Sequence, residues 1–348
     1  MSTNPIALCG IEFVELAGPD ASALDQMLKD FGFSKTMRHA TRAIELYEQG
    51  EIRFLLNREP GTRAATFAKT HGPCIPSMAW RTELTPAAAV AAAVRRGAEI
   101  AESDYRVGKV DVLPAIYGIG DSLLYLTQQR GSALYESMGF VRLAKPELVP
   151  DKGFVAIDHL TNNVERGTMQ GWADFYKNVF GFSEVRYFDI RGAKTGLTSY
   201  ALRSPCGTFC IPINEGTDDK SQINEYLEEY KGPGIQHLAF LTHDILASLR
   251  GLEGATTLSF LDIESDYYDA IFDRVPNVRE NHDEIRARNV LVDGDADGYL
   301  LQIFTHNVVG PIFIELIQRH NHLSFGEGNF GALFRSIERE QEKRGYLT

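Results

Sequence analysis

Cysteine is scarce in this 348-residue chain, and the four present are scattered. Cys9, Cys74, Cys206 and Cys210 form no Cys-x-x-Cys pair and no disulfide-framework spacing, so reduced thiols are expected. Long apolar runs are missing too. None approaches the ~18 residues of a membrane-spanning helix, so no membrane association is predicted. Basic charge is short: the net charge of −12 argues against nucleic acid and anionic membranes, which both require a basic face. It leaves room for a small anionic substrate, because local charge decides that. The first nine residues lack a basic n-region and a long apolar core, which predicts no signal peptide and a cytoplasmic location. What remains is a soluble composition, 44% hydrophobic and 24% charged, in a length that suits about two domains.

One tetrapeptide occurs twice. Phe31-Gly32-Phe33-Ser34 returns as Phe180-Gly181-Phe182-Ser183, about 150 residues on and too long a period for a solenoid. Each copy ends a helix-like stretch and precedes a basic-aromatic strand, so the chain reads as two domains on one plan. Two prolines, charge and a glycine over 145–153 mark the linker. This divides the chain into an N-terminal domain over 1–148 and a C-terminal domain over 153–348.

The first half predicts strands over 8–16, 43–47, 52–57 and 77–82 and helices over 20–30 and 86–96. Thr85, Pro86 and Gly97 supply start and stop signals for the second helix. The second half repeats the order, with strands over 155–161, 186–190, 198–202, 209–213 and 235–242. Its helices are expected over 169–180 and over 244–249, the latter stopped by Gly251. A last amphipathic helix over 329–344 has no counterpart in the first half. The fold class is therefore α+β. Each domain contains paired βαβββ units that curl into an open, barrel-like mixed sheet around a cavity.

Three polar residues stand out on apolar strand faces. Alternation sets His159 with Val155, Ile157 and Thr161, His237 with Ile235 and Ala239, and Glu315 with Phe313 and Ile317. Any one alone reads as a hydrogen-bonded core residue, and Glu315 alone could pair with Arg319. Together they read as the 2-His-1-carboxylate set of a non-haem Fe(II) centre, because a desolvated imidazole or carboxylate is costly unless paired or coordinated. The first half aligns Phe13 and Ser77 with the two histidines, so only the second half carries a metal set. The remaining seven histidines (His39, His71, His243, His282, His306, His320 and His322) are expected to be solvated.

Several motifs then resemble the 4-hydroxyphenylpyruvate dioxygenase family. They are Asp158-His159-Leu160-Thr161, Tyr187-Phe188-Asp189-Ile190, Ile211-Pro212-Ile213-Asn214-Glu215, the run from Gly234 to Phe240, the run from Phe313 to Arg319, and Phe325-Gly326-Glu327-Gly328-Asn329-Phe330. The likeness covers essentially the whole chain. It implies a vicinal-oxygen-chelate fold, with one Fe(II) per subunit on His159, His237 and Glu315. It implies 4-hydroxyphenylpyruvate and O2 as substrates, homogentisate and CO2 as products, a place in tyrosine catabolism, and a homodimer or homotetramer.

By the same resemblance, Gln222, Gln236, Gln302 and Phe330 would act at the reacting centre. Ser199, Pro212, Asn214, Phe304, Phe313, Phe325, Asn329 and Phe334 would hold substrate, and a lid helix over about 328–344 would close the cavity. Gln236 neighbours His237, so a regular strand would point it away from the metal. Asn162 and Cys210 depart from the family pattern.

Three other readings compete. A 4-hydroxymandelate synthase shares the substrate but hydroxylates the benzylic carbon; Phe330 and Pro212 match the dioxygenase branch instead. The motif over 325–330 and the final helix speak against a ring-cleaving extradiol dioxygenase. The retained triad speaks against a non-catalytic ligand-binding protein.

Overall fold

The strand order shows the duplication directly. The computed structural model describes residues 3–108 and 111–347. The first half contributes β1 (Leu8–Ala17), β2 (Ser34–His39), β3 (Ile44–Gln49), β4 (Ile52–Asn57), β5 (Cys74–Thr82), β6 (Ile100–Ala101), a ribbon of β7 (Arg106–Val107) and β8 (Asp111–Val112), β9 (Ala115–Tyr117), β10 (Leu123–Thr127) and β11 (Phe140–Glu147). The second half contributes β12 (Phe154–Val164), β13 (Ser183–Arg191), β14 (Gly196–Arg203), β15 (Cys210–Gly216), β16 (Gly234–Thr242), β17 (Leu291–Gly294), β18 (Tyr299–Phe304) and β19 (Phe313–His320).

The first sheet runs β11-β2-β3-β4-β1-β5-β10-β9-β6 and the second β13-β14-β15-β12-β16-β19-β18-β17. Apart from the added edge strand β11, the two orders correspond strand for strand. In each sheet the two βαβββ units meet along a central antiparallel pair, β1 with β5 and β12 with β16. Each of these strands is also flanked by a parallel partner from its own unit: β4, β10, β15 and β19.

Helices start where the sequence supplies caps. Thr85 Oγ1 accepts from the Ala88 amide ahead of Pro86, and Asp244 Oδ1 accepts from the Ala247 amide. Two helices differ from expectation. The segment over 169–180 is α-helical only over Met169–Phe175 and continues as a wider π-turn over Tyr176–Phe180. The extra residue turns Phe180 onto Trp80 of β5, ring centroids 4.9 Å apart. The helix expected to stop at Gly251 instead includes it, spanning Ile245–Gly251 with Leu252 as its cap. His71, expected in solvent, stacks on Phe67 and bonds the Tyr230 carbonyl across the two halves.

The halves share one hydrophobic core. Trp80, fully buried, meets Phe180, Phe182 and Phe209 from the second half at 4.9–5.9 Å. Trp80→Ala is expected to cost about 3–5 kcal/mol, the range for emptying a large aromatic site. Chemical denaturation would check this, and a loss below about 1 kcal/mol would show that the interface does not depend on the ring.

Candidate metal centre

The matching registers locate equivalent positions in the two sheets. His159 faces Ala239 as Phe13 faces Ala79, and His237 faces Thr161 as Ser77 faces Glu15. Glu315 faces Ala239 where Tyr125 faces Ala79. The triad positions of the first sheet therefore hold Phe13, Ser77 and Tyr125. There Phe13 packs among Tyr105, Tyr125 and Tyr135, and the buried Glu15 is bound by Ser77, Tyr105 and Asn57. Aromatic rings fill the volume that the second sheet keeps open.

In the second sheet three donor atoms converge. His159 Nε2 lies 3.0 Å from Glu315 Oε2, His237 Nε2 lies 3.4 Å from the same oxygen, and the two Nε2 atoms are 3.3 Å apart. Bonds of about 2.1 Å at right angles separate neighbouring ligands by about 3.0 Å. The triangle therefore fits one face of a metal's coordination shell. All three side chains are buried. Among the described residues, this is the group of His, Cys, Asp or Glu whose donor atoms could hold an ion. Two imidazoles and one carboxylate suit a divalent first-row ion and leave its opposite face open.

Two β-bulges build this geometry. Strand β12 carries one extra residue, Asp158, between Ile157 and His159, and β16 carries Gln236 between Ile235 and His237. Each extra residue bonds the Nδ1 atom of the histidine that follows it. Asp158 Oδ2 accepts from His159 Nδ1 at 2.8 Å, and Gln236 Oε1 accepts from His237 Nδ1 at 3.0 Å. With Nδ1 protonated on both rings, both Nε2 lone pairs face the shared centre. The bulges also correct strict alternation. Gln236 and His237 line the same cavity, whereas Ile157 turns away from His159 into a pocket between the two halves.

The electrostatics follow. Burial alone would raise the Glu315 carboxyl, but the charge and hydrogen bond of His159 and the bond from His237 outweigh it and bring it down to about 2. Burial alone would lower His159, but Glu315 and Asp158 raise it. Burial lowers His237. Burial would raise Asp158 as well, but hydrogen bonds from Arg319 and His159 hold it well below the usual carboxylate range. Arg319 therefore pairs with Asp158, at 2.8 Å through Nε and 2.8 Å through Nη2. Glu315 is left to face the two histidines.

The triad opens into a cavity lined by Ser199 of β14, Pro212 and Asn214 of β15, and Gln222, Gln236 and Gln302. Phe304, Phe313, Phe325, Phe330 and Phe334 form its apolar wall. Phe313 stacks on His237 at 4.7 Å, and the edge of Phe325 meets His159 at 5.6 Å. Ser199 and Asn214 are cross-strand neighbours, and Asn214 Nδ2 donates to Asn163. Gln222, the first residue of its helix, receives a bond from Gln236 Nε2.

Gln302 is buried with both amide atoms unpartnered. Gly326 gives it room: its φ is +79°, and a Cβ there would come within 2.6 Å of the Gln302 amide. Asn329 is the exception. It does not line the cavity; it lies fully buried at the start of the C-terminal helix, and its Oδ1 accepts from Tyr267 OH at 2.6 Å. Thr161, Phe188, Ile190, Leu197, Leu333 and Ile337 also line the cavity, with no site role assigned to them from the sequence. Their spacing was a usable signal. Phe188 and Ile190 share a strand face, and Leu333 and Ile337 continue the helix stripe of Phe330 and Phe334.

The C-terminal helix, Phe330–Lys343, forms one wall of the cavity. Phe330, Leu333, Phe334 and Ile337 face inward, while Arg335 and Arg339 reach Glu264. Among the described residues no helix is long and apolar enough to cross a membrane.

Comparison with known proteins agrees with this geometry. The family profile described as "Hydroxyphenylpyruvate dioxygenase, HPPD, N-terminal" matches residues 2–141, and that of the "Glyoxalase/Bleomycin resistance protein/Dioxygenase superfamily" matches 156–303. A 4-hydroxyphenylpyruvate dioxygenase from Legionella pneumophila is 42% identical over 349 residues, covering 99% of this chain and 98% of that protein. The chain belongs to the 4-hydroxyphenylpyruvate dioxygenase family. Protein MelA of Shewanella colwelliana is 55% identical, over 99% of both chains. A triple mutant of 4-hydroxymandelate synthase from Streptomyces coelicolor superimposes with a TM-score of 0.80 at 27% identity, over 96% of this chain and 99% of that one. The fold is thus the vicinal-oxygen-chelate arrangement of this dioxygenase family.

The outer partner of His237 gives a test. Gln236→Leu removes the acceptor that fixes its tautomer and is expected to weaken metal binding by about 10–100-fold. Metal titration of the chelator-stripped protein checks this, and wild-type affinity would show that the bulge residue does not orient the ring.

Proposed function

We propose that the protein converts 4-hydroxyphenylpyruvate and O2 to homogentisate and CO2, with one Fe(II) held by His159, His237 and Glu315. The observation that carries the reading is the three-donor triangle in the wall of an aromatic cavity that contains an unpartnered amide. A bound ferrous ion supplies sites for the keto-acid group of the substrate and for O2, so the reaction needs no separate keto acid.

The chain's own residues do the positioning. Phe313 and Phe325 flank the two imidazoles, and Phe304, Phe330 and Phe334 give the aromatic ring an apolar slot. Gln302, Ser199 and Asn214 offer neutral donors and acceptors for the phenol and carboxylate ends without adding charge. The inward face of the C-terminal helix keeps water from the oxidation. Phe330 and Pro212, which match the dioxygenase branch, support ring hydroxylation with side-chain migration over the benzylic hydroxylation of 4-hydroxymandelate synthase. The first domain, with Phe13, Ser77 and Tyr125 in the triad positions, serves as scaffold and oligomer interface.

The Fe(II)-loaded protein should consume one O2 and release one CO2 per 4-hydroxyphenylpyruvate without added 2-oxoglutarate. Consumption that depends on 2-oxoglutarate, or none at all, would overturn the reading. Gln302→Leu should raise the KM for the keto acid about tenfold, the scale of one lost hydrogen bond of about 1.4 kcal/mol, while iron content stays unchanged. Steady-state kinetics with iron analysis checks both halves, and an unchanged KM would remove Gln302 from the binding set.

A further inference from the structure

Strand β19 carries the buried Glu315 and, four positions on, the half-buried Arg319, and only Glu315 is assigned to the metal by the reading above. The other, Arg319, has a side chain only 14% exposed. On one side its guanidinium grips Asp158 with two bonds of 2.8 Å, and Asp158 in turn holds His159 Nδ1 at 2.8 Å. On the other side its Nη1 donates to the His322 carbonyl at 3.0 Å and the Ser324 carbonyl at 2.6 Å.

Those carbonyls belong to the turn that launches the lid. The turn leaves β19 at Asn321, whose φ is +51°, passes Phe325 and reaches Gly326, whose φ is +79°. Phe325 and His159 meet edge to face, ring centroids 5.6 Å apart, so the same imidazole touches the turn directly and also through Arg319 and Asp158. Displacing the turn would take two acceptors from a half-buried cation and a ring from His159. Fixing His159 would, by the same contacts, fix the turn. Such coupling is reciprocal.

We propose that Arg319 is a positioning residue that couples metal occupancy to the order of the lid base, residues 322–330. Metal binding at His159 tightens this segment, and an ordered segment strengthens metal binding. The inference rests on the metal reading of the triad, and goes beyond it by linking that site to the lid through one side chain. Lysine cannot replace the guanidinium, because a single point donor cannot grip a carboxylate in parallel and also bridge two carbonyls.

Hydrogen exchange of the chelator-stripped protein, with and without Co(II), tests the coupling. In the wild type, Co(II) is expected to slow exchange over 322–330 by at least about tenfold. Arg319→Lys should bind Co(II) about 10–100-fold more weakly. It should also lose the Co(II)-dependent slowing while its melting temperature and its exchange in the first sheet stay as in the wild type. A purely structural role would instead raise exchange broadly and leave the Co(II)-dependent change in place. Asp158→Asn, nearly isosteric, is expected to behave like Arg319→Lys and carries the test if the lysine variant does not fold. Co(II) binding to the wild type with no change over 322–330 overturns the coupling alone, as does an Arg319→Lys protein with wild-type affinity and slowing. A wild type that binds no Co(II) overturns the metal reading and the coupling with it.

Discussion

Glu315→Ala is expected to yield a folded protein that retains no iron and shows no iron-dependent turnover. The carboxylate is 4% exposed and lies within 3.4 Å of both Nε2 atoms, so its loss removes the anionic donor from the shared centre. Two imidazoles remain, their Nε2 atoms 3.3 Å apart, with no anionic ligand for a divalent ion. The loss in affinity should exceed the roughly 100-fold upper range for removing an outer partner, because a ligand itself is gone. The effect should therefore be larger than that of Gln236→Leu on the same assay, and His159→Ala and His237→Ala should match it. Iron content after gel filtration, read beside the circular dichroism spectrum, checks the result. A Glu315→Ala protein that keeps one iron per chain would remove the residue from the ligand set.

The second large effect is expected at the lid. Glu338 sits on the C-terminal helix, beside the stripe that lines the cavity, and is 4% exposed. Its Oε2 accepts from the Ala193 amide at 3.1 Å, and its Oε1 accepts from the Lys194 amide at 3.0 Å, the Thr195 amide at 2.9 Å and Thr195 Oγ1 at 3.1 Å. One carboxylate thus pins the helix to the turn between β13 and β14. A side chain at Gly192 would run into Glu338 and Phe334, so that turn must be small as well. Hydrogen bonds to a charged group contribute about 1.5–3 kcal/mol each, enough for their joint loss to shift the lid toward open. Glu338→Ala should raise the KM for the keto acid tenfold or more and uncouple O2 consumption from product, with iron content unchanged. Glu338→Gln, which keeps an acceptor, should lie between. Unchanged coupling in the alanine variant would show that the helix is held by its other contacts.

The triad was legible because its signal is thermodynamic. Three ionisable groups on otherwise apolar strands need a common explanation, and Phe13 and Ser77 in the aligned half showed what a strand without that demand looks like. The shared plan of the two halves was legible from one repeated tetrapeptide and the same order of strands and helices on either side of the linker. The bulges were not. Strict alternation assumes a ladder without insertions, so it put Ile157 beside His159 and turned Gln236 outward. Only the register shows that Asp158 and Gln236 are extra residues, each spent on orienting the histidine that follows. Asn329 was misplaced for a related reason: its position was carried over by motif, but its side chain is taken by Tyr267. The helices Tyr267–Arg274 and His282–Ala287 were missed because neither is longer than eight residues, which leaves little periodicity to read.

The most direct test is the identity of the product formed from 4-hydroxyphenylpyruvate by the Fe(II)-loaded protein under isotopically labelled O2. Homogentisate is expected, with one labelled atom in the new ring hydroxyl and one in the carboxylate. Labelled 4-hydroxymandelate, or turnover that survives in Glu315→Ala, would contradict it.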